Sequence, residues 1–227
     1  MRTNPSSHRA ARRDPAKTLR PPREGSRQPD ARERLVAAAA EVIQEYGYRA
    51  APLDEILRRS GVAKSNLYYH FPGKLELACA AVDAWRASSG AQALVAAVSD
   101  EGRSGLQRLQ DYIQQFVANT TSPEPPFCGC PFGMLAAEDD LDEVLRLRVE
   151  QVFGRMRDLL QAAVRAAVRE GSLRADVDPE RFSLALSSAL QGGGILGRAY
   201  RIPTLIQASA EAVLGLALAP RRDASPA

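Results

Sequence analysis

Residues 64–74, KSNLYYHFPGK, bring together side chains that could catalyse a reaction or grip a charged ligand. A histidine beside hydroxyl groups is typical of general acid–base catalysis. Lysine, tyrosine and asparagine are typical of contacts to DNA phosphates and base edges. Because His70 is the only histidine after residue 8, a catalytic set would have to be built around it.

An enzyme is the main alternative class for this chain, and the sequence offers little support for it. We find no Ser/His/Asp set, zinc motif or phosphate-cradling glycine loop. The two histidines, His8 and His70, lie far from the cysteine pair, so no metal site is predicted. We therefore expect no enzymatic activity, no cofactor and no metal.

A helical wheel divides this stretch into a core face and an outward face. At about 100° per residue, Leu67 and Phe71 fall together and are predicted to face the core. The outward positions are Ser65, Asn66 and Tyr69, flanked by Lys64 and Tyr68 on one side and by His70 on the other. Small polar residues let a helix approach a DNA groove, and asparagine can pair with adenine through two hydrogen bonds.

The elements around the stretch predict a helix-turn-helix. Asp30 and Glu33 have the spacing of a capping box, and an apolar face then runs to Tyr46 before Gly47. Pro52 opens a short second helix, which a Ser-Gly-Val turn at 60–62 joins to a third helix at 63–70. Two short helices joined by a glycine-containing turn are typical of this motif, whose second helix enters the major groove. A plain amphipathic helix in a bundle is the alternative.

The remaining chain predicts an all-α protein in which a larger helical domain follows the motif. Helical spacing predicts further helices at 74–98, 103–119, 131–137, 140–170, 178–199 and 202–219. We expect a disordered basic tail at 1–29, a helix-turn-helix domain at 30–74, a larger helical domain at 75–219, and a loose tail at 220–227. No run of 18 apolar residues occurs, so no membrane partner is expected.

The tail at 1–29 is basic, with eight Arg or Lys residues against Asp14 and Glu24. Two interpretations stay open. It either adds sequence-independent attraction to DNA phosphates, which deletion would reveal as a smaller salt dependence of binding, or it is a solvated leader without a role. Its composition also fits an organellar transit peptide, although the motif downstream favours a bacterial cytoplasm.

The stretch from Arg32 to Leu77 resembles the TetR/AcrR family of bacterial transcriptional regulators. Two blocks carry the resemblance, ARERLVAAAAEVIQEYGYRA and LDEILRRSGVAKSNLYYHFPGKLEL. Later, GCPFGMLAAE at 129–138 and ALQGGGILGRAYRIPTLI at 189–206 look like one subgroup of the family's ligand-binding domains. Ala51 and Ala63 depart from the family, which often has hydroxyl residues there for phosphate contacts.

The resemblance implies a DNA-binding domain at 30–74 and a ligand-binding and dimerisation domain at 75–219. It implies a homodimer, built from the last two helices, that binds double-stranded DNA. It implies a repressor that binds a palindromic operator and is released by a small, largely apolar effector. Activation instead of repression, or a DNA-binding protein without a ligand, remains open. Carried onto this chain, the recognition-helix positions are Lys64, Ser65, Asn66, Tyr68, Tyr69 and His70, and Lys74 is the phosphate anchor.

An effector pocket is expected among the helices at 74–170. Its candidate residues are Trp85, Tyr112, Phe116, Phe132, Met134, Phe153 and Met156. Large apolar side chains at helical spacing are equally compatible with an ordinary core, so we expect only some of them to touch a ligand. Because no charged cluster stands out in the sequence, a largely apolar ligand is predicted.

Cys128 and Cys130 precede a short helix, where a thiol can become more nucleophilic. Two interpretations follow. The pair is a thiol sensor, or Cys130 is simply a small buried residue and Cys128 has no role. Gly192, Gly193 and Gly194 interrupt a helical pattern and predict close packing at a dimer seam or a helix break. The seam is predicted to contain Ala185, Ala189, Leu196, Ile206, Ala210 and Val213.

Overall fold

The computed structural model describes residues 29–121 and 129–220. Within these ranges the chain is all-α, as the sequence predicts, with one isolated antiparallel bridge between Leu173 and Leu218. The helices are α1 (Ala31–Tyr46), α2 (Leu53–Ser60), α3 (Lys64–His70), α4 (Lys74–Ala87), α5 (Ser89–Ser99), α6 (Gly105–Thr120), α7 (Pro131–Ala136), α8 (Glu143–Arg169), α9 (Pro179–Tyr200) and α10 (Leu205–Ala217). The tail at 1–28, Cys128 and residues 221–227 lie outside the described ranges.

Local sequence signals set the ends of the first helices. The predicted capping box is confirmed, since the Asp30 carboxylate accepts the Glu33 N–H while the Glu33 side chain accepts the Asp30 N–H. The α2–α3 turn depends on Gly61, whose φ of 63° lies in the left-handed region that glycine adopts without steric cost. Pro52 and Ala63 give no side-chain cap to α2 and α3.

Two apolar clusters hold the helices together. The first joins α1, α2 and α3 to α4 and to the N-terminal half of α8, through side chains such as Leu35, Leu77 and Leu145. The second joins α6, the C-terminal half of α8, α9 and α10. Because the first cluster extends beyond residue 74, α4 and α8 hold the helix-turn-helix against the larger helical body.

The helix expected from Lys74 to residue 98 is in fact two helices. Ser88 separates α4 from α5, with its hydroxyl accepting the Ala91 N–H at 3.2 Å and donating to the Trp85 carbonyl at 2.8 Å. The periodicity of apolar residues continues across the break, which is why it misled the prediction. A serine that caps a helix start satisfies an N–H group that would otherwise lack a partner.

The glycine run in α9 does not break the helix. Gly193 allows α10 to approach closely, since a Cβ there would lie 2.8 Å from the Ile206 Cα atom, whereas Gly192 and Gly194 face open space. The predicted dimer seam was wrong at Ile206 and Ala210, because both are fully buried within their own chain. These residues form the α9–α10 contact inside one protomer.

No helix in the described part of the chain combines the length and apolar character needed to cross a lipid bilayer. The same ranges hold no cluster of three or more His, Cys, Asp or Glu side chains positioned for a metal ion.

Candidate nucleic-acid interface and effector cavity

Helix α3 is fastened to the body by the two residues that the wheel placed inward. Leu67 is fully buried and Phe71 nearly so, both within the first apolar cluster. The Arg32 guanidinium lies 5.3 Å from the centre of the Phe71 ring, a favourable cation–π distance. These contacts fix which face of α3 points to solvent.

The outward face of α3 carries the predicted polar set. Lys64, Ser65 and Asn66 are exposed at the helix start, and the Tyr69 side chain is 82% exposed. Tyr68 is exposed on the flank, while His70 is partly buried and meets the Tyr69 ring edge-on at 5.0 Å. Such a surface can enter a groove with small residues first and an aromatic hydroxyl beyond them.

Two arginines on α2, within the motif, are held by acids of the protein itself. Arg58 pairs with Glu55 at 2.6 Å, and Arg59 pairs with Glu55 at 2.7 Å and with Glu45 of α1 at 2.6 Å. Hydrogen bonds from both guanidinium groups lower the pKa of Glu55 to about 2. The positive charge inferred from the sequence between residues 55 and 76 is therefore smaller than a residue count suggests, and Lys64 makes no ion pair within the described ranges.

Lys74 begins α4 beside the end of α3, but its ammonium group points to the loop after α1. It donates to the Arg49 carbonyl at 3.1 Å and lies 5.2 Å from the centre of the Tyr48 ring. Partial burial lowers the pKa of Lys74. The residue thus ties the loop at 48–49 to the start of α4, at the position expected for a phosphate anchor.

The same loop is held from the other side by Glu138, which follows α7. The Glu138 carboxylate accepts the backbone N–H groups of Tyr48 and Arg49, the latter at 3.1 Å. Arg49 also pairs with Asp140 at 3.2 Å. Gly47 permits this approach, since a Cβ there would lie 2.8 Å from the Glu138 Oε1 atom. We call this arrangement the Glu138 junction; sequence periodicity could not show it, because about 90 residues separate the partners.

A cavity of about 280 Å³ opens among α4–α9. Of the seven candidate pocket residues, five line it: Tyr112, Phe116, Phe132, Phe153 and Met156. Met134 lines an adjoining cavity of about 690 Å³ instead. Trp85 lines neither cavity; it packs edge-on against Phe132, with ring centres 5.9 Å apart. Its role in the first apolar cluster is therefore packing.

The cavity also has a polar lining that the sequence pattern missed. Arg86, Arg155, Gln151 and Gln191 line it, together with Ser187. They lie on α4, α8 and α9, so only the tertiary fold brings them together. A helical wheel of α8 could have shown Gln151 and Arg155 one turn apart, but both are also typical of a solvated face.

Cys130 immediately precedes α7 and lines both cavities. Its thiol is partly buried and free. The structure thus places one of the two candidate sensor residues at the cavity wall. The small-residue interpretation is compatible with the same position, so a thiol sensor stays a prediction.

Comparison with known proteins agrees with the fold and the motif. A family model described as "Bacterial regulatory proteins, tetR family" matches residues 35–81, and one described as "Tetracyclin repressor-like, C-terminal domain" matches residues 105–213. The chain is 28% identical to the transcriptional regulator YxaF of Bacillus subtilis over 186 residues, which cover 81% of this chain and 93% of YxaF. It is 31% identical to the transcriptional regulator LmrA of the same organism over 126 residues, which cover 55% of this chain and 65% of LmrA.

A solved structure shares most of the architecture. A TetR transcriptional regulator from Chloroflexus aurantiacus superposes with a TM-score of 0.70 at 26% identity, covering 82% of this chain and 92% of that chain. The fold, the helix-turn-helix and the two matched regions define a DNA-binding transcriptional regulator. The chain belongs to the TetR family.

Proposed function

We propose that the protein is a homodimeric repressor that binds a palindromic operator and releases it when a small molecule enters the cavity. The observation that carries this proposal is the α3 surface. Lys64, Ser65, Asn66 and Tyr69 stand exposed on a helix whose opposite side is buried through Leu67 and Phe71. We assign base contacts to these four residues and backbone contacts to Tyr68, His70 and Lys74.

An apolar surface on α9 and α10 supports the dimer. Leu184 and Ile195 are 65% and 69% exposed and stand three helical turns apart on α9. Leu196, Tyr200, Ile202, Leu216 and Leu218 are also exposed in this part of the chain. An apolar surface of this kind is typical of an interface, and twofold pairing of two-helix units would form a four-helix seam.

The Glu138 junction offers a route from the cavity to the DNA-binding motif. Cys130 and Phe132, at the start of α7, line the cavity, while Glu138 follows the end of α7 and holds the loop at 48–49. Lys74 connects that loop to the start of α4, which follows α3 along the chain. A ligand could bind more tightly to a conformation in which α7 is displaced. Through these contacts it would then change the spacing of the two recognition helices in the dimer.

The experiment is a gel-shift assay on the DNA upstream of this protein's own gene. A complex should form that survives excess nonspecific DNA, and a metabolite extract should dissolve it. A parallel lane with a thiol oxidant tests Cys128 and Cys130 as sensors. Equal binding to the upstream fragment and to scrambled DNA would contradict sequence-specific regulation.

A further inference from the structure

We propose that the 280 Å³ cavity takes an apolar monocarboxylate, with the carboxylate at the solvent end and the apolar body inside. The inference deepens the proposed function, because this occupant would be the effector that releases DNA. It adds a charged head group to the largely apolar ligand that the sequence predicts.

The inner wall of the cavity is apolar and can hold a hydrocarbon body. Phe116 and Leu190 are buried members of the second apolar cluster, and Leu94, Val95 and Met156 extend the same wall. Enclosure by such side chains favours an apolar ligand through removal of its surface from water.

The charge on the cavity wall has one sign. Arg86 and Arg155 line the cavity, and none of its lining residues is an Asp or Glu. The adjoining cavity has the same property, with Arg198 and no acid in its lining. Because both lining arginines of the 280 Å³ cavity are exposed, they mark its solvent end. A ligand carrying a negative head group matches this arrangement, whereas a cationic one is repelled.

Arg155 is the better placed of the two arginines for a ligand. Arg86 lies 3.8 Å from Asp83, although Asp83 is held more closely by Arg148 at 2.9 Å. Arg155 makes no ion pair or hydrogen bond anywhere in residues 29–121 and 129–220. Its guanidinium group keeps its charge at any physiological pH and can hold a carboxylate through two parallel hydrogen bonds.

Tyr112 gives an independent sign that the cavity is built for an occupant with polar atoms. Its side chain is only 3% exposed, it lines the cavity, and its hydroxyl forms no hydrogen bond within the described ranges. Burial raises its pKa, so the hydroxyl is a neutral donor at neutral pH. The hydroxyl is accessible from the cavity, so an oxygen atom of a bound ligand can accept its hydrogen bond.

Isothermal titration calorimetry of the full chain with octanoate, octan-1-ol and octylamine tests the charge requirement at constant chain length. Octanoate should bind most tightly and octylamine least. Arg155→Gln should weaken octanoate binding about tenfold, because the amide keeps one donor but loses the charge and the second hydrogen bond. It should leave octan-1-ol binding within about twofold. Arg157→Gln is the matched control, since Arg157 lies on the same helix, outside the cavity, and pairs with Asp158.

Three results would overturn the inference: octan-1-ol binding as tightly as octanoate, equal effects of Arg155→Gln and Arg157→Gln, or no binding of octanoate. Gel shifts with the same preparation separate it from the proposed function. Intact DNA binding without octanoate binding removes only the carboxylate proposal. Octanoate binding without DNA binding removes only the regulator proposal.

Discussion

At the residue scale, α3 separates buried anchoring residues from exposed polar residues. Leu67 is buried and Tyr69 is 82% exposed, although they are two positions apart. Burial of Leu67 fixes the orientation of the helix, so the backbone of α3 needs no further ordering when DNA binds. A helix surface fixed in this orientation can contribute specificity through a few side chains.

Asn66 is the residue that we expect to read a base. Asn66→Ala removes a side chain able to form two hydrogen bonds to adenine, so discrimination between operator and scrambled DNA should fall by roughly 1–3 kcal/mol. Competition binding by fluorescence anisotropy measures this difference. Gln114→Ala, at an exposed amide of α6, should change nothing; equal effects of both variants would remove Asn66 from the interface.

The sequence predicted the two faces of α3 because a wheel needs only local geometry. It could not predict that Arg59 is held by Glu45, because the two residues are 14 positions apart and lie on different helices. Nor could it show Lys74 directed to the Arg49 carbonyl, 25 positions away. Such partners depend on how helices pack, which one-dimensional periodicity does not record.

At the element scale, Glu55 pairs with Arg58 and Arg59 within α2 and makes stability depend on pH. Its folded-state pKa of about 2 lies below the ordinary 4.5, so its stabilising effect is present above about pH 4.5 and is lost as the pH falls towards 2. Wild type should melt at a higher temperature than Glu55→Gln at pH 7, and the difference should vanish near pH 2. Thermal melts followed by circular dichroism measure it. A constant difference across this range would contradict the ion-pair account.

The Glu138 junction is the element-scale link that we propose between cavity and motif. Glu138→Gln removes the charge that holds the Tyr48 and Arg49 N–H groups, so an effector should release DNA less completely. We expect the ratio of operator affinities without and with effector to fall severalfold, within the 5–150-fold range typical of allosteric coupling. Anisotropy titrations with and without the effector fraction from the gel-shift assay measure the ratio.

Asp139→Asn is the control for this prediction. Asp139 is the next residue, is exposed, and forms no ion pair or hydrogen bond in the part of the chain that the structure covers. Its replacement should leave the ratio unchanged. If Glu138→Gln also left the ratio unchanged, coupling would have to run through another contact, such as the Arg148–Asp83 pair between α8 and α4.

Element ends were predictable where a cap or a special residue marks them. Asp30, Gly47 and Pro179 stand where the sequence predicts helix ends. Ser88 has the same physical effect, but serine is common inside helices, so the α4–α5 break gave no clear signal. The apolar lining of the cavity was predicted because large apolar residues in helices are usually buried. Its two arginines were missed because arginine is usually exposed.

At the scale of the whole molecule, two copies are needed to present two recognition helices. Leu184→Arg places a charge on the exposed apolar surface of α9, so the protein should become monomeric and lose most of its operator affinity. Light scattering coupled to size-exclusion chromatography measures the mass. Leu147→Arg, at an exposed leucine of α8, should remain dimeric; a dimeric Leu184→Arg would locate the interface elsewhere.

The most direct measurement of the central claim is a hydroxyl-radical footprint on the DNA upstream of this protein's own gene. Two α3 helices of one dimer should protect two patches on one face of the duplex, related by a dyad and about 34–36 Å apart. Addition of the effector fraction should remove both patches together. A single unpaired patch, or uniform protection without sequence preference, would contradict a dimeric operator-binding regulator.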